Sequence, residues 1–164
     1  MIYTGKAHCF GDDINTDYIT PSKYKAANIS MEEYATHMME DIRPGFYGTI
    51  SAGDFIVAGK NFGCGSSRES ASRVIQVAKI SVILAKSFAR IFFRNAIGIG
   101  LPVLECDTDA IQDGEVLQVN VVEGTVTRSN GTVIHGIPLP PAMMNCLQEG
   151  GMSAVFKKYH TFKL

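Results

Sequence analysis

The sequence predicts one α/β domain, with parallel strands and helices joined to an antiparallel hairpin region. Three observations predict it. Short β-branched runs at 54–58, 80–85 and 102–105 alternate with helical patterns after Arg68 and after Ser87. That order requires parallel pairing through right-handed crossovers. Past residue 115 the pattern changes to the alternating Val116-Leu117-Gln118-Val119-Asn120-Val121, then to two runs flanking Asn130-Gly131, a hairpin-turn dipeptide.

Ile2 to Phe10 reads as the opening strand, with Ala7 and Cys9 on one side and His8 and Phe10 on the other. His8 is expected beside the core rather than as a ligand. Gly11-Asp12-Asp13 breaks the strand. Asp13-x-Asn15-x-Asp17 begins like a calcium loop, but Tyr18 stands at the glycine position and Tyr24 at the final glutamate position, so calcium is excluded. Such side chains instead fix a loop by bonding to nearby backbone. Pro21 ends this segment, and 22–28 reads as exposed loop. Ser30 with Glu33 forms a capping box, opening a helix with Met31, Tyr34, Ala35 and Met38 inward and a stop at Arg43-Pro44-Gly45.

A loop over 46–53 leads to the strand at 54–58. A helix from Arg68 to about Ala78 precedes the strand at 80–85. Ser87 is expected to cap a helix over 88–97, which Gly98-Ile99-Gly100 closes before the strand at 102–105. Arg90 and Arg94 share a face of that helix, expected as solvent or subunit contact rather than as anion ligands. His135 ends the hairpin, exposed. Pro138 to Pro141 reads as a rigid linker, Met143 to Glu149 as a short helix, and Met152 to Tyr159 as a last helix packing through Val155 and Phe156.

The 164 residues suit one domain, 1–164, large enough to bury a core. A net charge of −1 and the lack of any Lys/Arg run exclude nucleic acid as a partner. No apolar run approaches ~20 residues, so no membrane span is expected. Met1 to Lys6 carries no signal-like apolar region. Cys9, Cys64, Cys106 and Cys146 are widely spaced, with no Cys-x-x-Cys and no zinc spacing. That scatter argues against an iron–sulfur cluster held by this chain alone, and fits a reducing cytoplasm.

The stretch with the most chemistry is Gly59-Lys60-Asn61-Phe62-Gly63-Cys64-Gly65-Ser66-Ser67-Arg68-Glu69. It lies between a strand and a helix start. Glycines let a ligand approach the backbone, the first helical N–H groups suit an anion, and Arg68 offers a planar fork to a carboxylate or phosphate. It is not a Walker loop, since Asn61 follows Gly59-Lys60. It is not a dinucleotide fingerprint, since Arg68 stands where the third glycine belongs. It is not a nucleophile elbow. Cys64 has no histidine nearby to act as its base. The same residues also read as helix capping alone, with Ser66 or Ser67 as N-cap and Glu69 as a first-turn acid.

Asn61 to Glu69 resembles the signature of the small (swivel) subunit of the aconitase superfamily, more narrowly the short form of the 3-isopropylmalate dehydratase small subunit. Gly11 to Pro21 and Ala85 to Asn95 agree, in the family's order, and the resemblance runs over nearly the whole chain. It implies a swivelling β/β/α domain like the aconitase C-terminal domain. It implies a hydro-lyase acting on an alkylmalate in leucine biosynthesis, active only with a large subunit, as a heterodimer or heterotetramer. A [4Fe-4S] cluster would be held by that large subunit and not by this chain. Ser66 would match the family's catalytic serine, acting as an alkoxide-like base. Ser67 and Arg68 would match ligands of a substrate carboxylate. The 11–17 loop would lie beside the cleft. Ser70 departs from the histidine of many relatives.

Substrate choice is read from Lys25 and Ala26. Homoaconitase-like relatives place an arginine where this chain has Ala26. Alanine leaves room for an alkyl group and offers a distal carboxylate no partner. Lys25 would be the one cation able to replace that partner. Isopropylmalate is therefore expected first, a dimethylmalate- or citramalate-type acid second and tricarboxylates third. A function of another class, a non-catalytic module binding a small anion, uses the same residues without a partner.

Overall fold

The computed structural model describes residues 1–24 and 28–161. Among them, seven strands form one sheet in the order β4-β3-β2-β1-β5-β6-β7. Strand β1 (Ile2–Cys9) lies centrally between β2 (Phe55–Ala58), parallel to it, and β5 (Val116–Asn120), antiparallel to it. Strands β3 (Val82–Ala85) and β4 (Val103–Glu105) extend the parallel half. The register runs Cys9↔Val57, Val57↔Leu84 and Leu84↔Leu104. Strands β6 (Thr125–Thr127) and β7 (Val133–His135) form the expected hairpin, with Val126 opposite Ile134. The sheet curls far enough for its two ends to meet, and Ile137 N–H donates to the Glu105 carbonyl at 2.8 Å.

The described helices are α1 (Thr16–Ile19), α2 (Met31–Thr36), α3 (Glu69–Val77), α4 (Arg90–Gly98), α5 (Pro141–Gln148) and α6 (Met152–Tyr159). Each major helix turns an apolar side inward: Ala71, Val74 and Ile75 from α3, and Phe92, Ala96 and Ile97 from α4. Helix α2 packs on α3, α3 on α4 and α4 on α5. The Ser30 capping box forms, with Glu33 N–H donating to Ser30 Oγ at 3.1 Å.

Several boundaries differ from the sequence reading. Helix α2 stops at Thr36 rather than at Arg43, and the chain continues in turns that bury Met38 and Met39. Ser87 does not cap α4. The helix starts two residues later behind Ala89, and Ser87 Oγ accepts the Asn61 N–H at 2.9 Å. Pro141 begins α5 instead of ending a linker, because a helix's first residue needs no N–H partner. His8 is only 4% exposed and bonds through Nε2 to Asp54 Oδ2 at 2.8 Å. Phe46 stacks edge-on against both His8 and Phe10, which fastens the 46–53 segment to the sheet.

Candidate active site

Two loops leave the carboxyl ends of neighbouring parallel strands, 10–15 from β1 and 59–68 from β2, and they zip together. Gly59 N–H donates to Gly11 O, Asp13 N–H to Lys60 O, Gly63 N–H to Ile14 O and Thr16 N–H to Cys64 O. Side chains lock the same seam: Asp12 Oδ1 accepts the Lys60 N–H at 2.7 Å, and Asn61 Nδ2 donates to Asp13 Oδ1 at 2.8 Å. These acidic residues bond to the loop, as their type predicts. Asn15 caps α1 by accepting the Tyr18 N–H at 2.9 Å.

Underneath, Phe62 is fully buried against Phe92, with ring centroids 5.1 Å apart. Gly63 has φ +78°, and an added Cβ would overlap the Phe92 ring. Here glycine is required twice, for the left-handed backbone and for the close ring. The loop is therefore held from both sides before it delivers Ser66, Ser67 and Arg68 to the start of α3.

Ser66 and Ser67 are exposed, and neither hydroxyl has a hydrogen-bond partner among the described residues. The capping alternative fails for the serines, since the N-cap of α3 is Arg68 with no side-chain cap bond, whereas Glu69 does stand as an acid in the first turn. Among the described residues, nothing occupies either hydroxyl. Thr16 Oγ1 donates to the Ser66 carbonyl at 3.2 Å, and Arg68 N–H donates to the same oxygen at 2.8 Å, so the Ser66 backbone is fixed while its side chain is not.

The Arg68 side chain folds back and is only 16% exposed. Its Nη1 lies 2.6 Å from Asp17 Oδ1 and donates to the Thr20 carbonyl at 3.3 Å. Its Nη2 reaches Ser22 Oγ at 3.5 Å, and Ser22 Oγ donates to Asp17 Oδ1 at 2.5 Å. The Nε atom is buried without a partner among the described residues. Cys64, half-buried in the same loop, has its thiol pushed up by burial and by the Asp13 charge. A thiol held protonated is a poor nucleophile.

The structure brings Ser66, Ser67 and Arg68 to one turn. Lys25 and Ala26 lie outside the described residues. Their neighbour Tyr24 is fixed, donating to Glu40 Oε1 at 2.9 Å and stacking on His37 at 3.8 Å. Arg90 and Arg94 sit exposed on the outer side of α4. Sequence reasoning missed Asp17, Thr20 and Ser22 as partners of Arg68. The Asp-x-Asn-x-Asp spacing flagged Asp17, but the partner lies 51 residues on, and no local rule pairs them. Among the described residues, no group of three or more His, Cys, Asp or Glu side chains could hold a metal ion. The four thiols are likewise dispersed, two half-buried and two buried, so this chain's donors do not fit an iron–sulfur cluster.

The aconitase C-terminal domain family model matches residues 22–109. A 3-isopropylmalate dehydratase small subunit from Archaeoglobus fulgidus is 49% identical over the full length of both chains. One from Heliobacterium modesticaldum is 47% identical, covering 96% of each chain. The crystal structure of a 3-isopropylmalate dehydratase from Methanocaldococcus jannaschii superposes with a TM-score of 0.93 at 40% identity, covering 98% of this chain and 96% of that one. The curled sheet with a loop-bearing parallel half is thus the aconitase C-terminal-domain fold, and this chain belongs to the 3-isopropylmalate dehydratase small-subunit family.

Proposed function

We propose that this chain is the small subunit of a 3-isopropylmalate dehydratase acting in leucine biosynthesis, joined to a large subunit in a reducing cytoplasm. The observation that carries the reading is the Ser66-Ser67-Arg68 turn, where two exposed hydroxyls without partners among the described residues stand beside an anchored, largely covered guanidinium. In the elimination, a proton leaves the carbon next to the carbinol carbon, hydroxide leaves the carbinol carbon, and a double bond forms between them. Ser66 Oγ, as its alkoxide, accepts that proton and becomes the neutral hydroxyl. Charge spreads onto the adjacent carboxylate as the proton leaves, and Ser67 Oγ–H and the Arg68 guanidinium receive it. Hydroxide is a poor leaving group and needs a Lewis acid, which we assign to a [4Fe-4S] cluster on the large subunit.

The preference for an alkylmalate rests on sequence, through Ala26 and the neighbouring Lys25. The test is co-expression with the large subunit, followed by kcat/KM on isopropylmalate, dimethylmalate, citramalate and homoaconitate. Joint elution and highest kcat/KM on isopropylmalate are expected. A tricarboxylate winning by about tenfold or more would remove the Ala26 argument, since a missing charge partner is worth at least that much. Two independent elution peaks, with tight dicarboxylate binding by this chain alone, would favour an anion-binding module.

A further inference from the structure

Arginine carries five N–H donors in a rigid plane. In Arg68 these are not used evenly. Asp17 Oδ1 and the Thr20 carbonyl take both directions of Nη1, at 2.6 and 3.3 Å. On the opposite edge, among the described residues, Nη2 has only the 3.5 Å approach to Ser22 Oγ, and Nε has no acceptor. A buried N–H without an acceptor is costly, so this edge lacks a partner that a bound carboxylate supplies. The side-on pair Nε and Nη2 is one of the two edges of a guanidinium that match a carboxylate's two oxygens.

We propose that Asp17 is a positioning residue: it grips Arg68 through Nη1 so that the Nε–Nη2 edge is the one presented to the substrate carboxylate. The inference rests on the reading that Arg68 binds substrate. Asp17 is suited to the task because it is itself fixed. It sits in α1, whose cap Asn15 is bridged to Cys64 of the catalytic loop, and Ser22 donates to its Oδ1. The weak Ser22–Nη2 contact is the one an incoming carboxylate displaces, and Ser22 keeps its bond to Asp17 when that happens. Asp17 and the substrate then flank one cation on opposite edges. The repulsion between the two carboxylates is the cost of this arrangement, and a guanidinium held in one plane is the gain.

The experiment uses the reconstituted two-subunit enzyme with Asp17→Asn, Arg68→Lys and the double variant. Asp17→Asn is expected to raise KM about tenfold and change kcat less than about threefold, since it loosens an oriented contact rather than the proton acceptor. In the Arg68→Lys background the same change should have no further effect on KM, because Asp17 acts only through Arg68. An unchanged or lowered KM in Asp17→Asn overturns the proposal, a lowered one identifying Asp17 as a competitor for the guanidinium. Additive effects in the double variant also overturn it. So does a fall in melting temperature and kcat with KM intact, which marks Asp17 as structural only. An Arg68→Lys enzyme with wild-type KM removes the underlying assignment of Arg68, an outcome the single Asp17 variant cannot mimic.

Discussion

Strands β2 and β3 are buried at every position, whereas β5 alternates between exposed and buried residues. The inner pair of the parallel half, β2 and β3, is covered on both faces and has no outward side chains with which to do chemistry. What it can offer is strand ends, and the two zipped loops and the Ser66-Ser67-Arg68 turn stand there. Ligand sites at the carboxyl ends of parallel strands follow from this geometry. The antiparallel half leaves one face open, yet its polar groups are spent on holding it together. Glu115, nearly buried, takes Arg128 through Nε and Nη2 at 3.0 and 3.1 Å, and Ser129 Oγ as well. Exposure alone therefore does not make a site. The 59–68 loop differs in having a rigid support beneath its exposed hydroxyls.

If the two halves divide the labour this way, changes in the first should alter kinetics and changes in the second only stability. Ser66→Ala should have the largest effect, lowering kcat by roughly three orders of magnitude or more with KM nearly unchanged, as expected for loss of a group acting in the transition state. Steady-state kinetics of the reconstituted enzyme decide it. Near-wild-type turnover would take the proton-acceptor role from Ser66.

A matched pair of glycines comes next. Gly63→Ala would meet Phe92 from a left-handed backbone, and Gly136→Ala would meet the Glu105 carbonyl oxygen at the closure of the sheet. Each should cost about 2–4 kcal/mol in stability. Only Gly63→Ala should also cut kcat in the fraction that remains folded. Equal kinetic damage from Gly136→Ala would break the division.

Glu115→Gln should cost less, about 1–3 kcal/mol by urea unfolding, because the amide keeps one acceptor for Arg128. Its KM should match wild type.

The smallest effect is acid sensitivity. Burial pulls the Asp54 carboxyl up, but the Ser51 N–H, His8 and the Lys6 N–H outweigh it and hold it below its ordinary value. A depressed folded value means that this stability is present above the unfolded carboxylate value of about 3.9. It is lost as pH falls through the lower folded value. Thermal melting of wild type and Asp54→Asn from pH 7 to pH 3 should show the two curves converging at the acid end. A constant gap would remove Asp54 from the acid response.

The same division governed what could be read from the chain. Runs such as Val82-Ile83-Leu84-Ala85 and the alternation over 116–120 reported their burial directly, so strand types and the parallel-to-antiparallel change were legible. Ser66, Ser67 and Arg68 were legible as a cluster because they are adjacent in sequence. What held them was not. Asp17 reaches Arg68, and Ser87 caps nothing but accepts the Asn61 N–H, only because two strands lie side by side. Helix ends were misjudged for a related reason: Met38 and Met39 continue the apolar pattern of α2 but are buried from turns. Periodicity reports which face is buried, not whether the backbone between is helical.

Strand β1 has one further consequence, for synthesis. It is made first, yet both its edges belong to later segments, one to β2 and the other to β5, more than 100 residues downstream. A ribosome adds residues at about 5–20 per second, so the second edge of β1 waits on the order of ten seconds for its neighbour. During that interval β2, β3 and β4 can assemble against the first edge with α3 and α4, while the side that β5 will occupy stays open. The parallel half with its two zipped loops is thus complete in sequence before the half that closes the sheet, so the nascent chain has a stage with these loops present and one edge of its central strand uncovered.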